Sequence, residues 1–121
     1  GVALKFIETA QSGTNGTMIM CIPNDGSIDG LRNDDVVEIT CDVDKNGCTP
    51  HRIGKVDEQN LELIRRVKNY ERLSSKAIRE RSRSAAIQAL TLHPLVNSYS
   101  IAVKLVDEFI EHNKNYCGGW K

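Results

Sequence analysis

Hydrophobic and polar positions alternate most regularly between residues 37 and 43. Val37, Ile39, Cys41 and Val43 fall on one side of an extended chain, with Glu38, Thr40 and Asp42 on the other. A period of two with one apolar side is the pattern of a half-buried strand. Asn46-Gly47 follows directly. This dipeptide best tolerates the positive φ angles of a type I′ hairpin turn, so the chain is expected to return from Cys48 to Ile53. Pro50 has no N–H to offer a central ladder, which places the returning strand at a sheet edge or stops it early.

Upstream, Val2, Phe6 and Ala10 recur every four residues, as one face of a short helix. Gly13 and Gly16 punctuate a turn. The continuous apolar run from Thr17 to Ile22 then predicts a short buried strand ended by Pro23. Residues 23–35 are rich in Asn, Asp and Gly and form a structured loop leading to the alternating strand.

After Gly54 the apolar spacing changes to three and four. Asp57 can cap a helix whose inner stripe runs Leu63, Val67, Tyr70, Ser74 and Ala77 or Ile78. An alanine-rich helix from about Ser84 to Leu92 follows, stopped by Pro94. A third, capped by Asn97 or Ser98, carries Ala102, Val106 and Phe109 on one stripe, with Tyr99, Val103 and Ile110 beside it. Asp107 and Glu111 face water, and Gly118-Gly119 ends the helix. A few antiparallel strands with a hairpin, then three helices, make an α+β arrangement in one piece.

Composition narrows the function. The 121 residues suffice for one domain with one core. Sixteen basic and sixteen acidic residues cancel, leaving no global field to gather nucleic acid or an anionic membrane. Six aromatic residues (one Trp, three Tyr, two Phe) are too few for base-stacking platforms. There is no apolar run long enough to span a membrane and no signal-peptide pattern at the start, so a cytoplasmic protein is expected. The four cysteines show neither a C-x-x-C pair nor the dense spacing of a disulfide framework, and reduced thiols are expected. Gly1 at the start reads as a processed or truncated chain.

Candidate chemistry is sparse. Cys41, Cys48 and His51 have ligand chemistry suited to zinc but poor spacing, and Cys41 already belongs to the buried face of a strand. His93, before Pro94, suits a helix-end cap or packing role. Arg79, Arg81 and Arg83 could grip phosphate, yet Glu80 among them favours a solvated helix face. Gly13 to Gly16 precedes a strand, the reverse of a dinucleotide-binding turn. In the Asn24 to Gly26 loop, polar side chains beside a small residue could hold a hydroxylated ligand, although ordinary turn chemistry also explains them. These residues assemble no catalytic constellation.

Taken together, "IPNDGSIDGL", "DDVVEITCDVDKNGCTP", "VKNYERL" and "AIQALTLHPLVNSYSIAVKLVDEF" resemble the C-terminal part of family 4 glycoside hydrolases, from about Thr17 to His112. Each block alone is weak, but P-N-x-G-x-I, D-x-V-V-E, N-G and A-L-x-x-H-P-L-V in this order are specific. "VKNYERL" and "NSYSIA" look most like the 6-phospho-β-glucosidases.

The resemblance implies a glycosidase outside the two-carboxylate scheme, one that uses NAD and a divalent metal such as Mn²⁺ on phosphorylated disaccharides. In such enzymes the nicotinamide transiently oxidises the sugar at C3. The metal polarises the resulting carbonyl, and a base then takes the C2 proton so that the glycosidic oxygen can leave. The resemblance also implies a fold like the C-terminal domain of lactate and malate dehydrogenases, downstream of a Rossmann domain. The family's dinucleotide motif, metal-binding Cys and His, tyrosine base and main phosphate-gripping residues lie upstream of the matched blocks. No catalytic, cofactor or metal residue is therefore carried onto this chain, and Tyr70, Tyr99 and Tyr116 do not match the base.

Residues 1–121 are thus expected to be a single C-terminal domain that helps frame the substrate pocket, with Asn24 as its one candidate pocket contact. They should be inactive alone and should join a homo-oligomer through apolar surface. A free-standing structural or oligomerisation module, or part of a hydroxy-acid dehydrogenase, is the alternative.

Overall fold

The structure, a computed structural model, describes all residues from Gly1 to Lys121. The chain gathers into two compact units, residues 1–57 and 58–121. The division falls where the apolar spacing changes from two to three and four. Each unit has its own hydrophobic cluster, in place of the one core expected from the chain's length.

The first unit holds helix α1 (Val2–Ser12) and strands β1 (Gly16–Pro23), β2 (Val36–Asp44) and β3 (Gly47–Pro50) in an antiparallel sheet of order β1-β2-β3. Gly13 takes the left-handed conformation (φ 70°) that lets the chain leave α1. Phe6 and Ala10 flank the buried Thr9 on the inner side of α1, while Val2 is exposed.

β2 is the central strand, and its expected alternation holds. Val37, Ile39, Cys41 and Val43 are buried on one face. Met20, Ile22, Ile28, Leu31 and Cys48 pack against Val37, Ile39 and Cys41. β1 corrects the expectation of a wholly buried strand. Only one face of the sheet meets the core, so the residues of β1 alternate: Met18 is buried and Met20 and Ile22 are half-buried, whereas Ile19 is 60% exposed. β3 is the opposite edge and ends at Pro50, an edge position that suits a residue with no N–H to give a central ladder.

The hairpin turn also differs from the expected type I′ geometry on Asn46-Gly47. Asp44 and Gly47 are themselves paired, so Lys45 and Asn46 form the turn. The only positive φ there is at Gly47 (124°). The Asp44 carboxylate decides this register by accepting the Asn46 backbone N–H at 2.7 Å.

The second unit is helical: α2 (Glu58–Glu80), α3 (Arg83–Leu92), α4 (Tyr99–His112) and the single turn α5 (Lys114–Cys117). Ser82 and Ser98 cap α3 and α4, their hydroxyls accepting from the Ala85 and Ile101 amides. Ile87, Ala102 and Val106 form the buried cluster, joined by Ala86, Leu90, Val96, Val103 and Ile110. Two stripe assignments shift. Leu63 of α2 is exposed, with Leu61 and Ile64 half-buried instead, while of the alternatives Ala77 and Ile78 it is Ala77 that is buried. Phe109 is 55% exposed because Ile110 takes the inward position on the last turn of α4. Helix α4 ends at His112, not at the glycine pair; Gly118 follows α5.

Candidate functional site

The P-N-x-G loop begins where β1 ends. Asn24 is completely buried, and its amide does two jobs: Oδ1 accepts the Ile28 N–H at 2.8 Å, and Nδ2 donates to the Ile28 carbonyl at 3.1 Å. A neutral amide can present donor and acceptor together in this way; a carboxylate cannot. The Asn24 backbone N–H donates to the Asp35 carbonyl at 2.7 Å, tying together the two ends of the loop. Asp25 (φ 40°) and Gly26 (φ 78°) make the tight corner between them. Ser27 then accepts the Ile53 and Gly54 amides, and Ile28 forms a parallel bridge with Gly54. Asn24 thus sets the shape of this loop, and in this structure its side chain is shut off from solvent.

A second polar group lies on the outer face of the sheet. His51 Nε2 is 2.9 Å from Asp42 Oδ2, and Thr17 Oγ1 donates to Asp42 Oδ1 at 3.1 Å. The hydrogen bonds from His51 and then Thr17 hold the Asp42 carboxyl below the usual carboxylate range. Both oxygens are engaged and the group is open to water, which makes it a clasp across three neighbouring segments. Grouping His51 with Cys41 and Cys48 by residue type hides this pair. The parity of the strand carries the signal: Asp42 is an outward position and Cys41 an inward one.

The same parity separates the proposed soft ligands. Cys41 is fully buried and Cys48 half-buried on the core side, while His51 joins Asp42 outside. Burial pushes the Cys41 thiol up, with Cys48 and Asp42 adding to the effect. No group of three or more His, Cys, Asp or Glu side chains gathers to hold a metal ion. The residues present therefore do not make a metal site, and no chemical step is assigned to one.

The remaining candidates are divided among structural tasks. His93 ends α3 with its backbone N–H on the Ala89 and Leu90 carbonyls, while its Nδ1 accepts the Leu95 amide at 3.2 Å. Its ring meets Tyr70 edge-on, centroids 4.5 Å apart. Arg79 donates to Ser75 at 2.9 Å. Arg81 occupies the left-handed corner between α2 and α3 (φ 51°). Arg83 grips Asp107 through two hydrogen bonds of 2.6 and 2.9 Å, which hold the Asp107 carboxyl low and the guanidinium high. The three arginines do not form a phosphate cradle. Tyr99 and Tyr116 are exposed, 65% and 88%.

The helical unit also contains an apolar cleft of about 260 Å³, lined among others by Ala77, Leu90, Val106, Phe109 and Trp120.

Residues 2–96 match the family 4 glycosyl hydrolase C-terminal domain, so the chain belongs to that family. Its relatives act on phosphorylated glucosides. It is 40% identical over 114 residues to the 6-phospho-beta-glucosidase BglT of Thermotoga maritima, covering 94% of this chain and 28% of the relative. It is 36% identical over 103 residues to the maltose-6'-phosphate glucosidase MalH of Clostridium acetobutylicum, covering 85% and 23%. The chain therefore spans about a quarter of the length of these proteins.

Among solved structures, a 6-phospho-alpha-glucosidase from gut microorganisms with NAD and Mn²⁺ superposes with a TM-score of 0.93 at 28% identity, over 99% of this chain and 27% of its own. The Thermotoga maritima 6-phospho-beta glucosidase with manganese, NAD⁺ and glucose-6-phosphate gives 0.86 at 35%, over 95% and 28%. The α+β class and its correspondence to the C-terminal region of these enzymes stand on these matches.

Proposed function

We propose that this chain is the C-terminal domain of an NAD- and divalent-metal-dependent 6-phospho-β-glucosidase and that it helps frame the substrate pocket. The observation that carries the reading is the family match, together with relatives solved with NAD, Mn²⁺ and glucose-6-phosphate. The β preference is supported by the 40% identity to the Thermotoga maritima enzyme and by the "VKNYERL" and "NSYSIA" segments. The dinucleotide and metal sites belong to the part of the protein outside these residues.

Asn24 serves the pocket through the loop it fastens. The exposed Val2, Leu4 and Ile7 of α1 supply apolar surface for a homo-oligomer. No helix is long and apolar enough to cross a membrane, and we assign the protein to the cytoplasm, with no nucleic-acid partner.

The test is an assay of the parent protein with NAD and Mn²⁺ on 6-phospho-β- and 6-phospho-α-glucosides. Cleavage of the β series supports the reading. Cleavage of the α series alone overturns the anomer assignment, and no cleavage of either overturns the activity. The 121 residues alone should be inactive; NAD-dependent cleavage by them would refute the assignment of the machinery elsewhere.

A further inference from the structure

After α5, residues 118–121 turn back on the corner between α2 and α3. Two backbone hydrogen bonds hold them there: Lys121 N–H donates to the Arg81 carbonyl at 2.8 Å, and Arg83 N–H donates to the Lys121 carbonyl at 2.7 Å. Gly118 makes the turn at φ 65°, ψ −169°, a region that only glycine enters readily. A Cβ on Gly118 would also lie 2.9 Å from Arg81 Nη1. The turn brings Trp120 into the wall of the apolar cleft. There its indole N–H is closed off from solvent and has no hydrogen-bond partner. Burial of the ring favours this position, while the unpaired N–H opposes it, since water would satisfy the donor once the segment lifted. Gly118 and Gly119 are exposed and add no side-chain anchor.

We propose that residues 118–121 form a strap that opens without unfolding of the helices beneath it and so uncovers the apolar cleft of the helical unit. The strap hangs on one pair of backbone hydrogen bonds and one aromatic ring, whereas the helices are held by the Ile87, Ala102 and Val106 cluster and by two serine caps. Opening exchanges the ring's apolar contact for hydration of its N–H and releases the glycine turn.

Trp120 is the only tryptophan within residues 1–121, so in a parent protein that keeps it as the sole tryptophan its fluorescence reports the strap directly. In that protein, emission should be blue-shifted and partly shielded from acrylamide. Gly118→Ala should move emission to the red, raise the quenching constant about twofold and increase binding of a hydrophobic dye, with far-UV circular dichroism unchanged. Unchanged emission and quenching in Gly118→Ala would overturn the proposal. So would a loss of helix signal that accompanies the emission shift, because residues 118–121 would then belong to the cooperative core.

Hydrogen exchange on the unmodified parent protein gives a second reading. The Lys121 and Arg83 amides should exchange together and about tenfold or more faster than the His93 amide at the end of α3. Equal rates would refute independent opening.

Discussion

The sheet unit and the helical unit bury their apolar residues in opposite ways. The sheet unit uses branched and sulfur-containing side chains, Val37, Ile39, Cys41 and Val43, set by strict alternation on the central strand, with Met18 on the neighbouring edge strand. In the helical unit, four of the buried apolar positions are alanines, Ala77, Ala85, Ala89 and Ala102. Small residues let helix axes approach closely, so packing there depends on what is absent from the side chain. The sheet unit closes its polar loop with a buried amide. The helical unit instead leaves an apolar cleft and an unpaired indole N–H.

The largest expected effect tests the polar side of this contrast. Asn24→Ala leaves the Ile28 N–H and carbonyl without their partners and should cost about 2–4 kcal/mol in urea unfolding. Hydrogen exchange should show the loss in residues 1–57, with residues 58–121 little changed. An equal loss in both units would remove the distinction between them.

The core contrast predicts opposite sensitivities to size. Val43→Ala, at a position 1% exposed, should destabilise by about 2 kcal/mol through the cavity it leaves. Ala102→Leu, at a position with no exposure, should cost about 1–3 kcal/mol by forcing helices apart. If Ala102→Leu were neutral, the close-packing account of the helical unit would fail.

A smaller effect belongs to the caps. Ser82→Ala and Ser98→Ala should each remove about 1 kcal/mol, read as lower thermal midpoints, because each leaves a first-turn amide of its helix unpaired.

The smallest effects are those of the exposed carboxylates, one in each unit. Asp42 and Asp107 both have depressed folded-state affinities for the proton. Their contribution is therefore present above the carboxylate range of the unfolded chain and is lost as pH falls through the folded value. Wild type should exceed Asp107→Asn and Asp42→Asn slightly at neutral pH, and the urea midpoints should converge on acidification. A gap that widened toward acid would show the sign to be wrong. Both pairs are solvent-exposed, so either gap should shrink in high salt.

Much of the fold was legible because its signals are local. The period of two in residues 37–43, Pro50 and Ser98 each act within a few residues, and each corresponds to the strand, edge or cap observed. The errors arose where a neighbour decided the outcome. Ile19 looks as apolar as Met18 and Met20 but lies on the uncovered face of an edge strand. Phe109 fits the stripe of α4 but yields to Ile110, and the turn at Asn46-Gly47 moved by one residue when Asp44 captured an amide. The polar loop around Asn24 was visible as a motif. Its twin hydrogen bonds to Ile28 were not, because composition does not say which backbone groups an amide will meet.

The sequence by itself determined membership of a glycosidase family, through ordered blocks that no single motif would support, and it determined the α+β class, through hydrophobic periods. Only the tertiary structure decided which candidate residues meet. It paired His51 with Asp42 and left Cys41 in the core, divided the three arginines among Ser75, a left-handed corner and Asp107, and brought Lys121 back onto Arg81 and Arg83. The physical reason is that periodicity specifies a face, whereas a contact also requires the register and the direction of a second element, and those are set by packing.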